Sequence, residues 1–256
     1  MSGVEASNGH VLVGRAGGVQ TIRLNRPEKK NAITRAMYRA MANALHAGDR
    51  DAGVRVHLFL GVTGAFSAGN DLADFMAVAT GGDAGDEVWD FLQALAEAEK
   101  PVVSGADGIA VGIGTTIHLH CDLTFATPRT VFRTPFVDLG LVPEAGSSLL
   151  APRLMGHQRA FALLALGEGF PAEAALAAGL IHRIVGEDEL ETAARGAAEA
   201  LAAKPPQALK IARDLIRGPR DAVLARIREE GKHFSARLRS PEAAQALMAF
   251  MDGKKA

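Results

Sequence analysis

Cysteine and aromatic residues are scarce in this sequence. Its 256 residues include one cysteine, Cys121, and aromatic side chains make up only 5%. A single cysteine excludes an internal disulfide and is typical of a reducing compartment, so we expect a cytoplasmic protein. Alanine is abundant and aromatic residues are few, a composition that favours helices over an all-β fold.

Neither an excess of charge nor a long apolar run is present. The formal net charge is −1, so nothing in the charge balance favours nucleic acid or an anionic membrane as a partner. The longest candidate for a membrane span, residues 101–120, contains several glycines and Asp107. The first ten residues are polar and lack the apolar centre of a secretion signal. These absences predict a protein that neither enters a membrane nor binds nucleic acid.

The first half of the chain alternates short β-type runs with helical stretches. Residues 10–26 read as a hairpin that turns at two consecutive glycines, and residues 34–51 read as a helix with Thr34 as its N-cap. The order of elements that follows is typical of a parallel sheet with crossover helices. From about Pro152 the pattern is nearly all helical, and residues 221–250 are expected to form one long helical stretch.

The motifs do not match a metal site, a serine nucleophile or a dinucleotide-binding loop. His118 and His120 lie two residues apart near a helix start, where they would point to different faces, so no metal site is expected. The segment AFSAG resembles a nucleophile elbow, but Ala65 stands where the first glycine is required. The glycine spacing of GIAVGIG does not match a dinucleotide-binding loop.

Two glycine-containing loops nevertheless share a position. SAGN (residues 67–70) and GIG (residues 112–114) each follow a predicted strand and precede a helix, where backbone N–H groups are free. Together they could hold one oxygen as an oxyanion hole, or the glycines could simply allow close packing. Glu144, in the apolar segment LGLVPEAGSS, could move a proton beside such a hole or only stabilise a helix N-terminus. The residues alone do not decide between the two interpretations of the glycine loops, or between the two interpretations of Glu144.

Five segments follow one another along the chain: LNRPEKKNAI, GAFSAGNDLADF, DGIAVGIGTTIHLHCDLTFAT, FRTPFVDLGLVPEAGSSLLAPRLMG and EAALAAGLIHRIV. In their order and spacing they resemble the motifs of the crotonase (enoyl-CoA hydratase/isomerase) superfamily. The resemblance implies an α/β fold, with a crotonase-like spiral of ββα units over residues 1–200 and a C-terminal helical trimerisation region over residues 201–256. It further implies a homotrimer or a dimer of trimers.

The resemblance also implies roles for individual residues. The backbone N–H groups of Asn70 and Ile113 would hold the thioester oxygen of an acyl-CoA substrate. CoA or the acyl group would lie along Lys29, Lys30, Ala32, Ala68, Gly69, Asp71, Leu72, Gly112, Thr116, Phe136 and Phe250. Acyl-CoA is then the substrate, and no cofactor or metal is expected.

The acidic positions distinguish the reactions of the family. Hydratases of the family use two glutamates, and the corresponding positions here are Thr116 and Phe136. Glu144 stands where the isomerase branch places its single acid, and the surrounding segment is most similar to the peroxisomal type of 3-enoyl-to-2-enoyl-CoA isomerase. The resemblance therefore predicts this isomerase activity, with Glu144 as the catalytic acid–base. The alternatives are an enoyl-CoA hydratase, another crotonase reaction such as thioester hydrolysis, or an acyl-CoA-binding protein without catalysis.

Overall fold

The computed structural model describes residues 4–7, 9–79, 82 and 85–251. Its strands are β1 (Val4–Ser7), β2 (Val11–Ala16), β3 (Val19–Leu24), β4 (Val56–Leu60), β5 (Ala65–Ser67), β6 (Val102–Ala106), β7 (Ile109–Val111), β8 (Leu123–Ala126), β9 (Val131–Arg133), β10 (Phe170–Pro171) and β11 (Arg183–Ile184). Its α-helices are α1 (Arg35–Arg50), α2 (Leu72–Ala79), α3 (Glu87–Glu97), α4 (Ile113–Thr116), α5 (Ser147–Met155), α6 (His157–Leu164), α7 (Ala172–Ala177), α8 (Leu190–Ala202), α9 (Pro206–Arg217), α10 (Arg220–Leu238) and α11 (Pro241–Met251). Short 3₁₀ helices cover Pro27–Lys29, Ile117–His120, Val137–Leu139 and Glu187–Glu189.

The strands form two sheets that the chain enters alternately. The larger sheet has the order β1-β2-β3-β4-β6-β8-β11, and the smaller has the order β10-β9-β7-β5. The pairs β4/β5, β6/β7 and β8/β9 each contribute one strand to each sheet before the chain turns into a helix. This repeated ββα unit is the spiral core expected from the sequence.

The local predictions for the first elements are confirmed. β2 and β3 form an antiparallel hairpin in which Ala16 pairs with Val19 across the two glycines. α1 begins after Thr34, whose side chain accepts a hydrogen bond from the backbone N–H of Met37. The apolar face of α1 is buried and contains Met37, Met41 and Leu45, so the i+4 spacing marks the face that packs on the core.

The C-terminal part differs from the sequence prediction in containing the short strands β10 and β11, and at residues 221–250. Residues 221–250 do not form one helix, because α10 ends at Leu238 and α11 begins at Pro241. Proline lacks the N–H that a continuous helix needs but is well suited to a first helical turn. The break turns α11 towards the Val137–Leu139 segment, where the backbone of Ala243 closely approaches Gly140.

The main apolar core lies between the two sheets and the helices α1, α3, α5 and α6. A smaller cluster fills the opposite face of the larger sheet, where α8 covers Val56, Leu58 and Val103. Among the described helices, none is both long and apolar enough to cross a bilayer.

Candidate active site

The first glycine loop follows β5 and is held rigidly. Asn31 is fully buried, and its side-chain amide donates to the carbonyl oxygens of Leu24, Ala65 and Phe66. The Ser67 hydroxyl donates to the Asn31 carbonyl and accepts from the Gly69 N–H. Gly69 has φ of +92°, and a Cβ there would lie 2.9 Å from the Val111 carbonyl oxygen. Only glycine fits this approach of the two loops.

The second glycine loop follows β7 and enters α4. Gly112 has φ 56° and ψ −121°, a combination that L residues with a side chain avoid. This turn makes Ile113 the first residue of α4, so its N–H has no acceptor within the helix. A Cβ on Gly114 would lie 2.8 Å from the Ser67 carbonyl oxygen, which shows how tightly α4 packs on the first loop.

The two candidate oxyanion amides follow neighbouring parallel strands. Because β5 and β7 are parallel, their carboxyl ends lie at the same edge of the smaller sheet. Ile33 bonds to the backbone on both sides of Asn70, donating to the Gly69 carbonyl and accepting from the Asp71 N–H. Within the described part of the chain, the N–H groups of Asn70 and Ile113 donate to no protein acceptor. Neither N–H is therefore used in a hydrogen bond within the described protein, although Ile113 itself is fully buried.

Glu144 lies in the loop before α5, and its carboxyl group is almost completely buried. Its side chain is 7% exposed, and Oε1 accepts a hydrogen bond of 2.6 Å from the Thr116 hydroxyl on α4. Burial raises the pKa of Glu144 to about 8, and the charge of Glu230 adds to this rise, whereas the Thr116 hydrogen bond opposes it. Thr116, which is predicted to contact substrate, has its hydroxyl directed at Glu144.

The loop that carries Glu144 is braced from two directions. Ala145 and Gly146 both have positive φ, 60° and 70°, which turns the chain sharply before α5. Burial lowers the pKa of His120 to about 4, so the ring is neutral near pH 7, and its Nε2–H donates to the Ala145 carbonyl at 2.7 Å. On α10, the buried carboxylate of Glu230 accepts from the N–H groups of Gly146 and Ser148 and from the Ser148 hydroxyl.

Glu144 opens onto a largely apolar cleft, which we call the acyl cleft, of about 790 Å³ including its mouth. Its apolar lining consists of Ile33, Phe75, Val88, Trp89, Leu92, Phe234 and Leu238. Its polar lining includes Tyr38, Asn70, Asp74 and Glu144. Asp74 accepts a hydrogen bond from the backbone N–H of Arg35 and is partly exposed, so Glu144 is the only buried carboxyl group of the described lining.

A second cleft, the entry cleft, adjoins the acyl cleft and has a volume of about 1150 Å³ with its open side. Asn70, Phe75 and Phe234 line both clefts, so the two meet at the first glycine loop. Of the residues predicted to bind CoA or the acyl group, those that line the entry cleft are Lys29, Ala32, Ala68, Gly69, Asp71, Leu72, Gly112, Phe136 and Phe250. Lys30 does not line either cleft; it has φ of 48°, and its carbonyl oxygen accepts from the Ala68 N–H.

The described residues contain no group of three or more His, Cys, Asp or Glu side chains that could hold a metal ion. His118 is buried between the rings of Phe66 and Phe132, with its Nδ1 within 2.9 Å of the Ser104 hydroxyl. His120 braces the Glu144 loop. Each histidine of the HLH segment thus has a structural contact.

Sequence reasoning missed four residues that shape the site. Asn31 holds the first glycine loop, His120 and Glu230 hold the Glu144 loop, and Tyr38 donates to the side chain of Asn70. Tyr38 follows Thr34 by one helical turn on the buried face of α1, which was the available signal for its position. No local pattern marks Glu230, since its partners lie more than 80 residues away in the chain.

A comparison with known protein families matches residues 14–256 to the enoyl-CoA hydratase/isomerase family. The chain belongs to this family. The rat protein named enoyl-CoA delta isomerase 2 is 35% identical over 95% of the chain. The mouse protein named enoyl-CoA delta isomerase 3, peroxisomal, is 34% identical over 81% of the chain. The chain spans 64% of the length of the rat protein and 67% of that of the mouse protein.

Solved structures agree with this assignment. The crystal structure of an enoyl-CoA hydratase/isomerase from Pseudoalteromonas atlantica superposes with a TM-score of 0.90 at 36% identity, and covers 96% of this chain and 98% of that one. The predicted crotonase-like fold is confirmed, as is the resemblance to the isomerase branch of the superfamily.

Proposed function

We propose that the protein moves the double bond of a 3-enoyl-CoA to give the 2-trans-enoyl-CoA. One observation carries the proposal: the buried carboxyl group of Glu144 opens onto the cleft that Asn70 also lines. Membership of the enoyl-CoA hydratase/isomerase family supports an enzyme that processes acyl-CoA substrates. The presence of a carboxyl group at this place supports isomerisation within that class.

The reaction needs one base and one oxyanion hole. The thioester oxygen accepts hydrogen bonds from the Asn70 and Ile113 amides, which makes the C2 proton more acidic. Glu144 Oε2, the oxygen that Thr116 does not bind, takes that proton, and the electrons move into the dienolate. The protonated Glu144 then gives the same proton to C4, so one C–H bond breaks and one forms. No metal or redox cofactor is required.

The environment of Glu144 suits both halves of this transfer. A carboxyl group with its usual pKa of 4.5 is a weak base, whereas a pKa of about 8 makes proton removal more favourable. The same raised pKa keeps the proton on Glu144 until C4 accepts it. Thr116 holds Oε1, which leaves Oε2 as the oxygen that moves the proton.

The positions of the family's two hydratase acids support isomerisation over hydration. Thr116 occupies one of them, and its hydroxyl is used to bind Glu144. Phe136 occupies the other, is 5% exposed, and gives the entry cleft an apolar wall. A water molecule would find no paired carboxylates there to activate it.

The assay is the conversion of 3-hexenoyl-CoA and longer homologues to the 2-enoyl-CoA, which is followed by the absorbance of the conjugated thioester. We expect turnover by the wild-type protein and a loss of about 100- to 10,000-fold in Glu144→Ala, which is the usual contribution of general acid–base catalysis. Thr130→Val, which removes a buried hydroxyl outside both clefts, is the control. Glu144→Ala with wild-type turnover would contradict the proposal.

Two further measurements separate the alternatives. Steady formation of 3-hydroxyacyl-CoA from crotonyl-CoA would identify a hydratase, and tight binding of CoA esters without turnover would identify a binding protein. In heavy water, a single base that returns its own proton should leave part of the original C2 hydrogen at C4. Such retention would support a single carboxylate that carries the proton from C2 to C4.

We further propose that the chain assembles as a homotrimer or a dimer of trimers, as the resemblance implies. Ile211, Leu215 and Ile216 on α9 are 58%, 80% and 85% exposed, and such side chains are usually covered in an assembly. Light scattering coupled to size-exclusion chromatography measures the mass directly, and a monomer at micromolar concentration would contradict this assembly.

A further inference from the structure

Tyr38 is the only tyrosine in the sequence, and it is among the residues that line the acyl cleft. The residue is 1% exposed, and its ring packs against Phe91 with a centroid separation of 5.5 Å. The hydroxyl donates a hydrogen bond of 2.5 Å to Oδ1 of Asn70. The ring thus belongs to the apolar core, while the hydroxyl holds a residue of the predicted oxyanion hole.

The contacts of Asn70 show what this hydrogen bond restrains. The backbone on either side of Asn70 is tied to Ile33, and the loop before it is held by Ser67. The N–H of Asn70 itself takes part in none of these bonds and has no acceptor among the described residues. The hydrogen bond from Tyr38 adds a restraint on the side chain of the same residue, so Asn70 is held without the use of its N–H.

Tyr38 keeps its proton near neutral pH. Burial raises its pKa well above the usual value of 10, and the nearby charges of Glu144 and Asp74 raise it further. A neutral hydroxyl whose single proton is donated to Asn70 is a poor candidate for a proton carrier. Tyr38 can therefore affect the reaction through its hydrogen bond to Asn70.

We propose that Tyr38 is a positioning residue. Its hydroxyl holds the side chain of Asn70, and this contact keeps the backbone N–H of Asn70 in the orientation that binds the thioester oxygen. The inference rests on the oxyanion role that the proposed function gives to Asn70, but it does not depend on which reaction follows. It also assigns the Asn70 side chain a use, although the oxyanion role itself needs only the backbone.

The test is a double-mutant cycle with Tyr38→Phe and Asn70→Ala, which keep the ring and the backbone N–H respectively. The probe is acetoacetyl-CoA, because its C2 proton is acidic and an oxyanion hole favours the bound enolate, which is seen by its near-ultraviolet absorbance. Trp89, the only tryptophan, lines the acyl cleft, so its fluorescence reports total binding. The readout therefore works even if the isomerase assay is negative.

We expect each single variant to lower the ratio of bound enolate to bound keto form by about 5-fold, the equivalent of one neutral hydrogen bond. The double variant should show no further loss, because both changes remove the same contact. In the isomerase assay kcat should fall by a similar factor with KM nearly unchanged, since the oxyanion contact strengthens in the transition state. Thr130→Val again serves as the control for loss of a buried hydroxyl.

Two outcomes would overturn the inference. An unchanged enolate ratio in Tyr38→Phe would show that the hydroxyl does not act on the oxyanion hole. Losses that multiply in the double variant would show that Tyr38 and Asn70 act independently, as they would if the tyrosine contacted the substrate directly. If Glu144→Ala retained isomerase activity while the cycle behaved as expected, the proposed reaction would be wrong and the role of Tyr38 would stand.

Discussion

Replacement of Glu144 by glutamine should stabilise the protein at alkaline pH, although it removes the proposed base. Glutamine has nearly the shape of glutamate, and its Oε1 can still accept the hydrogen bond from Thr116. The substitution removes only the charge that the wild-type side chain must acquire inside an apolar environment. Stability and activity should therefore change in opposite directions.

The size of the effect follows from the pKa of Glu144, which is about 8 in the folded protein against an ordinary 4.5. A carboxyl group with a raised pKa holds a proton in the folded state that the unfolded chain has already released. The free energy of unfolding therefore falls as the pH rises from 4.5 to about 8, and the fall ends above that value. At about 1.4 kcal/mol per pKa unit, the loss between about pH 6 and about pH 9 is about 3 kcal/mol.

The assay is urea unfolding of wild type and Glu144→Gln at these two pH values, followed by the fluorescence of Trp89. The unfolding free energy of the wild type, relative to that of the variant, should fall by about 3 kcal/mol from the lower to the higher pH. Glu173→Gln, which removes an exposed carboxyl group on α7, should show the wild-type dependence. An identical pH dependence in wild type and Glu144→Gln would refute the reasoning, because Glu144 would then have the same pKa in the folded and unfolded states.

The remaining predictions concern the two groups that act on Glu144. Thr116→Val removes a hydrogen bond that stabilises the ionised carboxylate of Glu144. The midpoint of the rise of kcat/KM with pH should therefore move upward by about one pH unit from the wild-type value near 8. An unmoved midpoint would contradict this role of Thr116. Glu230→Gln removes the carboxylate that accepts three hydrogen bonds from Gly146 and Ser148. The free energy of unfolding should drop by about 1–3 kcal/mol, while loss of the nearby charge should move the same midpoint downward. A drop in stability with an upward movement would show that loop position outweighs charge.

The places of the two glycine loops in the fold could be predicted because they follow from short-range rules, whereas the roles of the site residues came from the resemblance to the family. The glycine loops after β5 and β7 were placed by strand and helix patterns, and parallel pairing brings their ends together without further information. The same holds for α1, since a threonine cap and an i+4 apolar spacing specify where it starts and which face it buries. The break before Pro241 was open to the same reasoning, because proline interrupts a helical pattern wherever it occurs.

The sequence by itself determined which groups are available: amides at two helix starts, and a carboxyl group in an apolar segment. Tertiary structure decided the pKa of Glu144, since neighbours from many parts of the chain bury its carboxyl group and the loss of solvent raises that pKa. It also decided that Thr116 binds this carboxyl group, that Tyr38 holds Asn70, and that Glu230 braces the loop from α10. Local spacing specifies helices and turns, whereas desolvation and hydrogen bonds across the fold depend on distances that only the packed chain defines.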